Sequence, residues 1–184
     1  MADGLGIKLP PKAKAAREPV NMDPSPAVSI QKNMKDTLEG RCVGILFADG
    51  SDVTEIDKVV AAVTKAKGKA VLIAPKVGGA KLSDGSLRKA DGQLAGTPSQ
   101  LFDAVALVLS TDGAAILSKD SAALDFVANA FVHLKAIGAS EGAQLLLDKA
   151  RVEPDAGITG LNADFIAAAK LRFFDREPSV RTLA

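Results

Sequence analysis

Cys42-Val-Gly-Ile-Leu-Phe-Ala48 is an uninterrupted apolar run, followed at once by Asp49-Gly50-Ser51 and then by Asp52 and Glu55 at the spacing of a capping box. A run with no polar alternation predicts a strand buried on both faces, as in a parallel sheet. Val53, Ile56, Val60 and Val63 follow at helical spacing, and Gly68 is expected to stop that helix. Strand, tight turn, capped amphipathic helix: this unit sets the pattern for the rest of the chain.

Moving outward, Ala70–Ala74 and Ala104–Leu109 read as two more buried strands, and Lys135–Gly138 as a short one. Ser83-Asp84-Gly85-Ser86 predicts a hairpin turn. Helices are expected over Ser121–Leu134, with Leu124, Val127, Phe131 and Leu134 on one stripe, over Glu141–Ala150, and over Asn162–Phe174. Strands alternating with helices imply an α/β fold, a three-layer α/β/α sandwich around a mainly parallel sheet. Upstream, residues 1–40 contain Pro10, Pro11, Pro19, Pro24 and Pro26 and few large apolar residues. They read as a proline-rich linker arm with one helical turn near Ser29–Lys35, and residues 41–184 as the folded domain.

The 184 residues suit one domain, and 47% hydrophobic content can fill its core. One cysteine and one histidine exclude an internal disulfide and any multi-His metal centre; no tyrosine is present to ligate a haem or act as acid or base. A net charge of +1 gives no field suited to nucleic acid. Lys65, Lys67 and Lys69 lack interleaved aromatics and read as a solvated helix end. No apolar run approaches membrane-spanning length and no secretory signal is evident, so the chain reads as cytoplasmic.

Ligands of such sheets collect at the carboxyl ends of the strands. Those ends are Asp49-Gly50-Ser51, Ser110-Thr111-Asp112-Gly113 and Gly138-Ala139-Ser140-Glu141-Gly142. The last matches the G-x-S-x-G nucleophile elbow, with Ser140 as the candidate nucleophile. Its base is missing: no histidine follows Ser140, and His133 precedes the strand, roughly 15 Å away if four or five residues at about 3.3 Å each intervene. Glu55 or Glu141 would have to serve instead. Cys42 reads as an inert core thiol, and Asp49, Asp52 and Glu55 as turn and cap residues that could otherwise surround a cation. Neither G-x-x-x-x-G-K-[ST] nor G-x-G-x-x-G occurs.

Pro24-Ser-Pro-Ala-Val-Ser-Ile30, Arg41–Gly50, Phe102-Asp-Ala-Val105, Phe131-Val-His-Leu-Lys-Ala-Ile137 and Arg172-Phe-Phe-Asp-Arg-Glu-Pro178 together resemble the C-terminal region of large-subunit haem catalases. The resemblance covers essentially the whole chain. It implies a flavodoxin-like domain of the class I glutamine amidotransferase-like superfamily, similar to the DJ-1/PfpI group. Within that group the resemblance places Glu55 at the acidic position after the first strand and Gly138 where the reactive cysteine would stand, so the group's chemistry is expected to be absent. For the parent it implies haem, hydrogen peroxide and a homotetramer; this piece carries no cofactor, because the family's haem ligand is a tyrosine. The expected role is structural, packing on the catalase core, with binding of unfolded chains or self-association when detached. The alternatives are a small-molecule-binding module at the strand ends and a residual hydrolase using Ser140.

Overall fold

A computed structural model describes residues 2–180. The chain divides into two compact units between Met34 and Lys35. The first carries two short 3-10 turns, Asp3–Leu5 and Pro26–Val28. The helical turn expected near Ser29–Lys35 is present as a single turn, closed by the Asn33 N–H on Ser29 O at 3.1 Å and fastened by the Asn33 side-chain amide. That amide donates to the carbonyls of Pro26 (2.9 Å), Ala27 (3.2 Å) and Ser29 (2.9 Å).

In the second unit, β1 (Cys42–Phe47) leads through α1 (Val53–Lys65) to β2 (Lys69–Ala74). An antiparallel hairpin follows, β3 (Ala80–Lys81) and β4 (Leu87–Arg88), with Gly85 at φ +84° in its turn. Then come β5 (Gly92–Gln93), β6 (Ala104–Val108), α2 (Thr111–Leu117), α3 (Ser121–Val132), β7 (Ala136–Ala139), α4 (Gln144–Lys149), β8 (Ile158–Gly160), α5 (Ala163–Ala168) and a last turn, α6 (Glu177–Val180). The main sheet has the order β5-β2-β1-β6-β7-β8, and every pairing in it is parallel.

Alternate residues of the central strands feed two separate cores, which is what a sheet covered on both faces requires. Val43, Ile45 and Phe47 of β1, with Ala104, Ala106 and Val108 of β6, pack under α1 and α5. Leu46, Val105, Leu107 and Ile137 pack under α2, α3 and α4. The fold is the expected three-layer α/β/α sandwich. Among the described residues no helix is long and apolar enough to cross a membrane.

Several local expectations change. Asp52 does cap α1, accepting the Glu55 N–H at 2.9 Å. The left-handed residue that ends α1 is Lys67 (φ +65°), not Gly68. Gly68 instead donates its N–H to Val63 O, and it leaves room for Leu38, whose Cβ would lie 3.1 Å from a Gly68 side chain. The buried stripe of α1 runs through Ile56, Val59 and Val63, with Val60 only partly covered. On α3 it runs through Ala123, Phe126, Val127, Ala130 and Phe131, leaving Leu124 at its border. Glu141–Ala150 splits into a 3-10 turn, Glu141–Ala143, and α4. The last expected helix ends at Ala168 because the following segment turns back to the amino ends of the strands.

That return is held by two arginines. Arg172 donates to Asp103 through its carbonyl (2.6 Å) and carboxylate (3.1 Å), while the same carboxylate accepts the Cys42 N–H at 3.0 Å. Arg176, only 5% exposed, pairs with both oxygens of Asp155 (2.6 and 2.8 Å) and donates to the carbonyls of Phe131 and Lys135. Its guanidinium lies 4.1 Å from the centre of the Phe131 ring. Burial works to raise the Asp155 pKa, but hydrogen bonds and charge from Arg176 outweigh it and hold the carboxyl below its usual value. Removing one partner strands a charge, so Arg176→Ala and Asp155→Asn should each cost about 3 kcal/mol in urea unfolding. Because the folded-state pKa is depressed, this contribution is present above the unfolded pKa of about 4 and is lost as pH falls through the lower folded value. The gap between wild type and Asp155→Asn should therefore close on acidification, and a gap independent of pH would contradict the assignment.

Candidate functional site

At the carboxyl ends of β1, β6 and β7, three serines from the three strand-end loops take up backbone groups that the sheet leaves unpaired. Ser51, fully buried, donates to Val108 O (2.6 Å) and accepts the Ala48 N–H (2.9 Å). Ser140 donates to Leu109 O (2.7 Å) and accepts the Leu109 N–H (2.9 Å). Ser110 caps α2 by accepting the Gly113 N–H (3.1 Å), and its hydroxyl lies 3.5 Å from Asp49 O.

For Ser140 this geometry has a chemical meaning. A serine nucleophile needs its proton on a base and a lone pair free for attack. Here the proton lies on a backbone carbonyl, and a backbone N–H occupies a lone pair. His133 caps the end of α3 and is exposed, on the far side of β7 from Ser140.

The two glycines of the G-x-S-x-G pattern have packing roles. A Cβ at Gly138 would stand 2.6 Å from Cδ2 of Phe165, and one at Gly142 would stand 2.4 Å from Leu109 O. Gly138 lies inside β7, paired with Ala106 and Thr159, with the Phe165 ring laid over it. A cysteine side chain would have to displace that ring.

Glu55, on the first turn of α1, is half-buried. Burial pushes its carboxyl above the usual range, Asp52 adds to this, Lys58 opposes it, and Glu141 raises it further. The acid therefore sits within electrostatic reach of the Ser140–Glu141 loop. Asp49 turns instead toward the hairpin, where its Oδ1 accepts the Lys81 N–H at 2.7 Å. Cys42 is partly buried at the start of β1, at the opposite end of the strand. Among the described residues no group of three or more His, Cys, Asp or Glu is placed to hold a metal ion. Nor do the residues fit a haem: there is no tyrosine, the one histidine caps a helix in solvent, and the one thiol begins a packed strand.

A family model described as the C-terminal domain found in long catalases matches residues 39–177. The chain belongs to that family. Among curated relatives, Catalase C of Rhizobium meliloti is 43% identical over 96% of this chain and 26% of its own length. Catalase-2 of Bacillus subtilis is 31% identical over 96% and 26%, and Catalase HPII of Mycobacterium avium 33% over 83% and 21%. The chain thus spans about a quarter of the length of the relatives it matches. Solved structures with the same fold include Drosophila melanogaster DJ-1beta, at a TM-score of 0.61 and 17% identity over 77% of this chain and 96% of that one. A DJ-1 superfamily protein from Salmonella typhimurium gives 0.58 and 21% over 78% and 96%. The chain therefore shares the parallel-sheet, flavodoxin-like fold of these structures.

In this domain Ser51 and Ser140 make similar stitches: each donates to a carbonyl at the end of β6, Val108 O or Leu109 O, and each accepts a backbone N–H, from Ala48 or from Leu109. Ser140→Ala and Ser51→Ala should each lose about 1–3 kcal/mol, since each leaves a backbone donor and acceptor without partners. Equal stability of Ser140→Ala and wild type in chemical denaturation would remove the structural role. Gly138→Cys should cost about 1–3 kcal/mol through overpacking, and Phe165→Leu in the same chain should recover part of it.

Proposed function

We propose that this domain is the non-catalytic C-terminal domain of a large-subunit catalase whose separate haem core decomposes hydrogen peroxide to water and dioxygen in the cytoplasm. The observation that carries the reading is the filled Gly138 position. Where the resemblance to the DJ-1/PfpI group puts a thiol, a glycine lies under the Phe165 ring, and the hydroxyl of the G-x-S-x-G pattern, Ser140, is bonded twice to Leu109. The acid Glu55 is retained without a nucleophile to serve.

With chemistry set aside, the domain's work is docking. It packs on the core and stabilises the homotetramer, with residues 1–40 as the connecting arm. Leu87, Leu101 and Leu171 are large apolar side chains left between 46% and 68% exposed, which supports docking on a partner. Separated from its core, the same surface binds partly unfolded chains or other copies of the domain.

Three measurements test this. A long catalase lacking the domain should lose tetramer stability in size-exclusion chromatography and inactivate at lower temperature; an unchanged tetramer would sink the docking role. A serine-reactive phosphonate should leave Ser140 unmodified after long exposure, whereas an adduct there would favour a residual hydrolase. The isolated domain at several-fold excess should suppress aggregation of a dilute, heated enzyme, and no suppression removes the chaperone-like role.

A further inference from the structure

The docking role leaves the crevice beside β1 unused. From β1 the chain runs into α1 on one face of the sheet, while β6, its neighbour, runs into α2 on the other. Such a switch in direction opens a crevice outside the carboxyl ends of the strands, where open α/β sheets take their ligands. A cleft of about 200 Å³ lies there, walled by Ala48 and Asp49 after β1, Pro75 and Lys76 after β2, and Ile116 and Leu117 of α2. Gly113 lets α2 close on it, since a Cβ at that residue would come within 3.2 Å of Asp49 O.

Three properties specify an occupant. The volume is below the roughly 300–1,000 Å³ of sites for drug-sized molecules, so the ligand is small. The walls are apolar apart from two charges of opposite sign. Asp49 is oriented by the Lys81 N–H on one oxygen, and neither Asp49 nor Lys76 has an ion-pair partner among the described residues.

We propose that this cleft binds a small zwitterion of the α-amino acid class with an aliphatic side chain. The ammonium pairs with Asp49, the carboxylate with Lys76, and the side chain lies against Ile116 and Leu117. A phosphorylated ligand meets the Asp49 carboxylate, a simple carboxylic acid leaves Asp49 unanswered, and an amine leaves Lys76 unanswered. Only a molecule carrying both charges answers both groups. This inference is independent of docking on a catalase core, and either can fail without the other.

Isothermal titration of the full chain tests it with L-leucine, isocaproate and isoamylamine, which share a carbon skeleton and differ in their charged groups. L-leucine should bind saturably, and each single-charge analogue should bind about threefold more weakly, the modest factor that pairing of solvent-exposed charges such as Asp49 and Lys76 gives. Lys76→Gln, at an exposed position, should weaken L-leucine by a similar factor without altering the fold. Asp49→Asn should do the same, and where it disturbs the hairpin through Lys81 the Lys76 variant carries the test. Ile116→Ala should weaken L-leucine and leave glycine, which has no side chain to place there, unaffected. No saturable heat with L-leucine, equal binding of the three probes, or binding indifferent to Lys76→Gln would overturn the proposal.

Discussion

A parallel sheet covered on both faces must satisfy its backbone at the strand ends, where neighbours stop and water is largely excluded. Nearly every notable side chain in this domain answers that requirement. At the carboxyl ends Ser51 and Ser140 reach across to the backbones of Val108 and Leu109. At the amino ends the Asp103 carboxylate takes the Cys42 N–H, Arg172 fixes Asp103, and Arg176 takes the carbonyls of Phe131 and Lys135. Lys135, itself 5% exposed, sends its ammonium to Ser99 O at 2.7 Å, and burial together with the nearby Arg172 pushes its pKa down to about 8. Ser140, which resembles a nucleophile in sequence, is in space bonded to the backbone at the end of β6.

Legibility follows from the same physics. β1, β2 and β6 are continuous apolar runs, and burial on both faces produces such runs whatever else the fold does. The α1 cap at Asp52 was readable because capping is local. α2 was not: Ser110-Thr111-Asp112-Gly113 has loop composition, and only the packing of Ala114 and Leu117 onto the sheet makes it helical. β8 is three residues ending in glycine, recruited by pairing with β7 rather than by propensity. The helix expected over Asn162–Phe174 stops early because Arg172 is needed at Asp103, a long-range demand that no helical period records.

The candidate site divides along the same line. Ser140 and Gly138 stand out in sequence because G-x-S-x-G is a short pattern, and Glu55 because of its place after the first strand. Their meaning depends on partners far away in the chain: Leu109 for Ser140, Phe165 for Gly138, Glu141 for Glu55. Ser51 carries no such signal, although its hydroxyl takes the Val108 carbonyl as that of Ser140 takes the Leu109 carbonyl, because a serine in a D-G-S turn reads as ordinary turn chemistry. A glycine required by an aromatic ring also looks, in sequence, the same as a glycine required by a turn.

The placement of Arg176 bears on where a stable fragment of this domain can be cut. The last strand of the sheet ends at Gly160 and α5 at Ala168, so every strand and every α-helix but the short α6 is complete there. Trimming at that point would empty the socket formed by Asp155, Phe131 and Lys135, leaving two carbonyls and a carboxylate turned toward a void. It would also release Asp103 from Arg172. The smallest autonomous version of this fold therefore extends at least through Arg176, well past its last strand.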